Sequence, residues 1–273
     1  MSAPNRFQKK LTEDYEKIWS AFSGKDNFAH ILRSRVSSRR RYLEILLKCI
    51  PRHRVPVVVE IGCGAGTDVN LLKFRRSQIA ALATDIVFDS AAAARTLSGF
   101  FDQYIDVFVS DTMHLPLRDE CADLVFSQGL LEHFPRPDRV VMEQSRVLRK
   151  GGFLIVNVPQ KFTGYTVMKR RQMARGQWNL GWEREFSTRD LRALCKGLRL
   201  RERVVFGYQY WRSWGEPAFV LRDLYEKFHR RNPLADRPVF GFLRSVYEAF
   251  WHALEKKWGH MFMQNIVMVF EKL

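Results

Sequence analysis

Residues 57–66, Val-Val-Val-Glu-Ile-Gly-Cys-Gly-Ala-Gly, limit what this chain can fold into more than any other stretch. An unbroken β-branched run, with no polar alternation, suits a strand covered on both faces, as in the middle of a parallel sheet. It passes directly into glycines at alternate positions and then into residues 67–75, whose apolar spacing is helical. Strand, glycine loop and helix open a βαβ unit. The glycines let the backbone turn sharply and approach a ligand, while the free N–H groups of the helix start face that ligand. No Gly-Lys-Ser/Thr follows, which excludes a nucleotide-triphosphate phosphate loop, and the GxGxG spacing departs from the dinucleotide pattern. The loop alone could still serve a nicotinamide, a flavin or another nucleoside.

The alternation continues along the chain. Residues 79–85, 104–111, 122–128 and 153–159 read as further strands, 90–100 and 138–150 as helices, the second closed by Gly151-Gly152. Residues 187–198 carry a Ser/Thr cap with Asp190 close behind and lead into strand 200–211; the stretch 265–273 is a last strand. The expected fold is α/β, a doubly wound, seven-stranded, mostly parallel sheet of the Rossmann-like kind. Four parts are expected: basic helices over 1–55 as a cap, a core over 56–211, a helical insertion over 212–263 and a last core strand over 264–273. In the cap, 8–22 and 28–50 read as helices, and in the insertion 217–231 and 239–258 do.

Charge is unevenly placed. Of the net +16, residues 1–55 hold +8, residues 56–158 hold −3 and residues 159–273 hold +11. A slightly acidic middle with basic flanks suggests a catalytic core whose appended surfaces meet an anionic partner, whether phospholipid, nucleic acid or an acidic substrate. The 46% hydrophobic and 27% charged composition is that of a globular chain. With no run of about 18 apolar residues and a polar start, the expectation is a cytoplasmic protein, with peripheral contact at an anionic membrane open to it. Cys49, Cys63, Cys121 and Cys195 form no CxxC pair, so no structural metal is expected.

Asp85 closes the second strand 19 residues after Gly66, where a carboxylate can accept from both ribose hydroxyls of a nucleoside. Asp111 closes the third strand beside Thr112-Met113. Three successive strand ends thus carry Glu60 with Gly62, Gly64 and Gly66, then Asp85 with Ile86, then Asp111, which is what a crevice at a topological switch point requires.

On these residues the chain resembles the class I S-adenosylmethionine-dependent methyltransferases, in particular the small-molecule (type 11) group that includes quinone-biosynthesis methylases. The likeness runs from residue 56 to about 160. It implies that S-adenosyl-L-methionine is the cofactor, that Glu60 and the three glycines contact its methionine part, Asp85 its ribose, and Asp111 with Thr112 its adenine. Ile86 and Met113 belong to the same pocket, and Gln128, past the fourth strand, lies beside the sulfonium. Cys63 is expected to fill the loop and not to act as a nucleophile, because thiol reactivity needs an activating setting.

Methyl transfer to a hydroxyl needs an aligned acceptor and a group to take its proton. His133, in Leu131-Glu132-His133-Phe134, is the best-placed imidazole, with packing against the cofactor as the structural alternative. Glu132 orients it or faces solvent. The expected acceptor is small and hydrophobic or lipid-linked, with oxygen ahead of carbon and nitrogen. An RNA methyltransferase using the basic flanks, or a non-catalytic cofactor-binding scaffold, are the alternatives; the residues after the fourth strand, Ser127-Gln-Gly-Leu130, lack the Asn/Asp-Pro-Pro-aromatic pattern of adenine amino-methylation. Residues 212–263 interleave Phe, Trp and Tyr with Arg and Lys, which suits a membrane-interface helix, a lid or helices docked on the sheet edge.

Overall fold

The structure is a computed structural model and describes residues 40–52, 54–178, 181–208, 253, 258–261 and 263–273. The helices expected over 8–22, 217–231 and 239–258 lie outside these residues, save for isolated positions at 253 and 258. Of the helix expected over 28–50 the described part is α1 (Arg40–Cys49). Tyr42, Leu46 and Cys49 recur at helical spacing on its buried face, and the Tyr42 ring stacks on Tyr208 at 5.9 Å.

The remaining elements are β1 (Val57–Ile61), α2 (Thr67–Arg75), β2 (Ala80–Asp85), α3 (Phe88–Phe100), β3 (Asp106–Val109), β4 (Ala122–Gln128), a 3-10 turn (Leu131–His133), α4 (Pro137–Val147), β5 (Leu148–Pro159), α5 (Gly164–Ala174), α6 (Thr188–Leu194), β6 (Leu200–Tyr208) and β7 (Asn265–Lys272). The seven strands form one sheet in the order β3-β2-β1-β4-β5-β7-β6, antiparallel only where β7 meets its neighbours. From β1 the chain winds outward to β2 and β3, then returns to place β4 on the other side of β1. That reversal opens a crevice at the carboxyl ends of β1 and β4.

Alternate residues of each strand feed cores on opposite faces: Val58 and Phe126 pack with Tyr42 and Leu72, whereas Val59 and Val125 pack with Val140 and Leu191. Residues 122–127 are buried throughout. At the opposite edge from the crevice, Asp123 is the buried tie. Its carboxylate accepts from the Val57 N–H at 2.8 Å, from Arg149 at 2.7 Å and from Arg54. It therefore joins the entry to β1 with β4 and β5.

Two expectations are corrected here. The helix ending near residue 150 stops at Val147, and Leu148 already pairs with Ala122 as strand. Gly151-Gly152 lies within β5, where the register slips between Ala122 and Leu124; a Cβ on Gly152 would stand 2.9 Å from the Asp123 carbonyl oxygen. The glycines thus serve a bulge and not a helix stop. The third strand ends at Val109, which leaves Asp111 two residues beyond it. The cap at the start of α6 is a full capping box, with Ser187 and Asp190 each accepting from the other's backbone N–H.

Tyr208 and Asn265 are register partners at the crevice end of the sheet. The chain between them therefore leaves and returns at the edge where β1 and β4 end. Replacing Asp123 by Ala should lower stability by about 2–4 kcal/mol, since it strands two guanidinium groups and a strand-entry N–H. Urea unfolding checks this, and an unchanged midpoint would show the tie to hold nothing.

Candidate active site

The loop after β1 has glycines in the left-handed region at Gly62 (φ 66°), Gly64 (φ 52°) and Gly66 (φ 59°). At two of these positions a side chain would also collide with a neighbour. A Cβ on Gly62 would lie 2.5 Å from Leu130 Cδ1, and one on Gly66 2.7 Å from Ala94 Cβ. Gly66 caps α2, so the first N–H groups of that helix open toward the crevice. Glu60, buried at the end of β1, accepts from the Val69 N–H at 2.9 Å and fixes the helix start to the strand.

Asp85 holds the loop in place from the next strand. Its Oδ2 accepts from the Gly64 N–H at 2.8 Å and its Oδ1 from the Val87 N–H at 3.0 Å. Burial raises its carboxyl above the usual range, and the Val87 and Gly64 donors oppose that rise. Ile86 follows with its side chain exposed at the rim. Asp111 folds its own loop, accepting from the Met113 N–H at 2.9 Å and lying 3.2 Å from His114 Nδ1. Gln128 ends β4 in register with Asn157. Cys63 is buried, and burial, with the charges of Asp85 and Glu60 behind it, pushes its thiol well above the ordinary value. It stays un-ionised in the loop.

The residues fit a nucleoside-bearing cofactor. Around the crevice mouth, the buried hydroxyls of Thr67, Thr112 and Ser127 and one oxygen of Glu132 have no hydrogen-bond partner, in a protein class where such atoms are seldom left over. Together with the glycine cradle and the Asp85 carboxylate they form a polar rim at three strand ends. The structure thus gathers Glu60, Gly62, Cys63, Gly64, Gly66 and Asp85 into one bonded unit, and sets Asp111, Thr112, Met113 and Gln128 on the loops beyond β3 and β4.

On the other side of β4 the sequence concealed a buried charge cluster. Glu132 and His133 sit on the 3-10 turn, 3% and 5% exposed. The His133 Nδ1 lies 3.3 Å from the Trp182 carbonyl oxygen, and the Arg184 N–H donates to the Glu132 carbonyl oxygen at 2.9 Å. Lys169, fully buried on α5, pairs with Glu183 at 3.0 Å and Glu185 at 3.3 Å, while Arg170 takes the other oxygen of Glu185. Nothing in the spacing marks Lys169, and the sequence alone does not announce the helix Gly164–Ala174 that carries it. Glu132 does not face solvent. Burial, then the charge of Glu183, lifts its carboxyl well above the usual range.

Comparison with known proteins places this geometry. Residues 59–156 match a family model described as a methyltransferase domain, of the type 11 group. A probable S-adenosylmethionine-dependent methyltransferase of Mycobacterium tuberculosis is 31% identical over 124 residues, 45% of this chain and 43% of that protein. A phosphatidylethanolamine N-methyltransferase of Cereibacter sphaeroides is 31% identical over 133 residues, 48% of this chain and 64% of that one. The chain thus spans less than two thirds of the length of these curated relatives. Among solved structures, geranyl diphosphate C-methyltransferase of Streptomyces coelicolor, complexed with Mg2+, geranyl diphosphate and S-adenosyl-L-homocysteine, shares the fold. The TM-score is 0.56 at 13% identity, over 86% of this chain and 79% of that one.

His133 gives this site a pH signature. Burial lowers its ring to about 4, with the Trp182 carbonyl opposing and Lys169 reinforcing the shift. An unfolded imidazole titrates near 6.5, so between about 6.5 and 4 the unfolded chain binds more protons than the folded one. The neutral ring's contribution, up to about 3 kcal/mol, is full above that window and lost as pH falls through it. In urea unfolding from pH 7 to pH 4, His133→Gln should lose stability less steeply than the unaltered protein. Equal slopes would mean that the ring meets water in the folded state.

Proposed function

We propose that this chain, whose residues 59–156 match a methyltransferase domain of the type 11 group, is a class I S-adenosylmethionine-dependent methyltransferase that acts on a small hydrophobic or lipid-linked acceptor. The observation that carries the reading is the left-handed glycine loop bonded to Asp85 at the sheet's switch point. When bound, the cofactor supplies an electrophilic methyl on a sulfonium, open to direct displacement.

This chain's own residues then divide the work. Asp85 has oxygens engaged by Gly64 and Val87 and still has acceptor capacity for the ribose hydroxyls. Glu60 and the glycines hold the methionine part, Asp111, Thr112 and Met113 the adenine, and Ile86 and Gln128 complete the walls. His133 takes the acceptor's proton. Its ring is neutral across the physiological range, so the accepting form is always present, but a base titrating near 4 contributes modestly.

Oxygen remains the favoured target, with carbon and nitrogen behind it. A lipid-linked acceptor is supported by the phospholipid named for the Cereibacter sphaeroides relative, whose name gives nitrogen as the target there. Peripheral contact with an anionic membrane is a proposal from the charge of the two ends of the chain. Among the described residues no helix is long and apolar enough to cross a membrane.

Incubating the protein with cell lysate and methyl-labelled cofactor tests the reading. Label should pass into the organic extract. Label confined to RNA would overturn the acceptor class, and calorimetry showing no cofactor binding would overturn the activity. Asp85→Ala should weaken cofactor affinity about 10–150-fold, the value of charge-assisted contacts to two hydroxyls. His133→Ala should lower turnover by about 10²-fold with affinity within a few-fold, as befits a weak base.

A further inference from the structure

Glu132 is the acid of the buried cluster that the scheme above leaves without a task. The turn that carries it abuts the glycine loop, because Leu130 occupies the space over Gly62. Its Oε1 borders Gly129, where a Cβ would stand 3.4 Å away, and its Oε2 is buried without a partner. The groups facing it are Glu183 from the loop after α5 and Lys169 from α5 itself, with His133 next in the chain. Lys169 is already committed to Glu183 and Glu185. Among the described residues no basic side chain forms an ion pair with Glu132, so this corner of the crevice holds one more acid than its cations balance.

We propose that the Glu132 carboxylate is the counter-ion this protein supplies to the cofactor's sulfonium, and the group by which it distinguishes the cofactor from its uncharged demethylated product. The proposal rests on the methyltransferase reading. A buried acid without a cation holds its proton; a positive charge brought into the same low-dielectric corner lowers the cost of ionisation, so the proton leaves to solvent as the cofactor enters. By linkage, cofactor affinity then rises with pH, whereas affinity for the demethylated product does not follow. After transfer the sulfonium charge is gone, Glu132 recovers its proton, and the product is held less tightly than the cofactor.

The test is calorimetry of S-adenosylmethionine and of S-adenosylhomocysteine at one pH in two buffers of different ionisation heat. At about pH 6 the amino groups of both compounds are protonated and their carboxyl groups ionised, so the difference in protons released reports what the sulfonium does to the protein. The unaltered protein should release more protons with the methionine compound, by up to one. In Glu132→Gln the two counts should match, and the preference for the charged compound should drop about tenfold. Equal counts in the unaltered protein overturn the proposal, as does a difference that survives in Glu132→Gln. Should that variant fail to fold, the unaltered protein's counts decide alone. Failure of both compounds to bind would instead sink the methyltransferase reading.

Discussion

A parallel sheet covered on both faces has nowhere to put polar chemistry except at its strand ends, and that constraint organises this molecule. The faces of β1 and β4 are given over to aliphatic packing with α1, α2 and α4. Any polar group placed there would need a partner that the packing cannot offer. The reversal of strand order between β1 and β4 leaves one end of the sheet open, and Glu60, Asp85 and the glycine loop collect there. The opposite end is closed by Asp123 and its arginines. One end is thus tied shut by ion pairs so that the other can stay open.

The cofactor half of the site was legible because its demands are local. A tight turn needs glycine, a strand end needs an acid, and a β-branched run needs cover; residues 57–66 and Asp85 announce all three. The bounds of α2 and β4 follow from the same signals and agree with the structure. Gly151-Gly152 was misleading because glycine punctuates helix ends and bulges alike, and only the slip opposite Ala122 and Leu124 decides between them. Lys169 was invisible for another reason. Its partners lie 14 and 16 residues away on an irregular segment, and no periodicity links a helix to a loop it folds back upon. The isolated position of Asp123 hid the same kind of contact across 69 and 26 residues.

The two halves of the crevice also differ in electrostatic character. Along the ends of β1, β2 and β3, carboxylates are bonded to backbone N–H groups, which fixes geometry with little net charge at stake. Around the 3-10 turn, Glu132, Lys169, Glu183 and Glu185 lie together with few partners outside the cluster, and a change of charge beside them is felt strongly. His133, neutral and held against a carbonyl, stands between these regimes.

The pairing of Tyr208 with Asn265 bears on how such a protein can change over generations. Because the sheet itself brings these two residues together, the connection between them is closed before its own sequence matters, and its length weighs little on stability. Gly207 meets Gly259 backbone to backbone, so the returning chain is seated by contacts that need no side chains at all. A change in the length of that connection therefore leaves the register of β6 and β7, and the sheet behind the crevice, as they are.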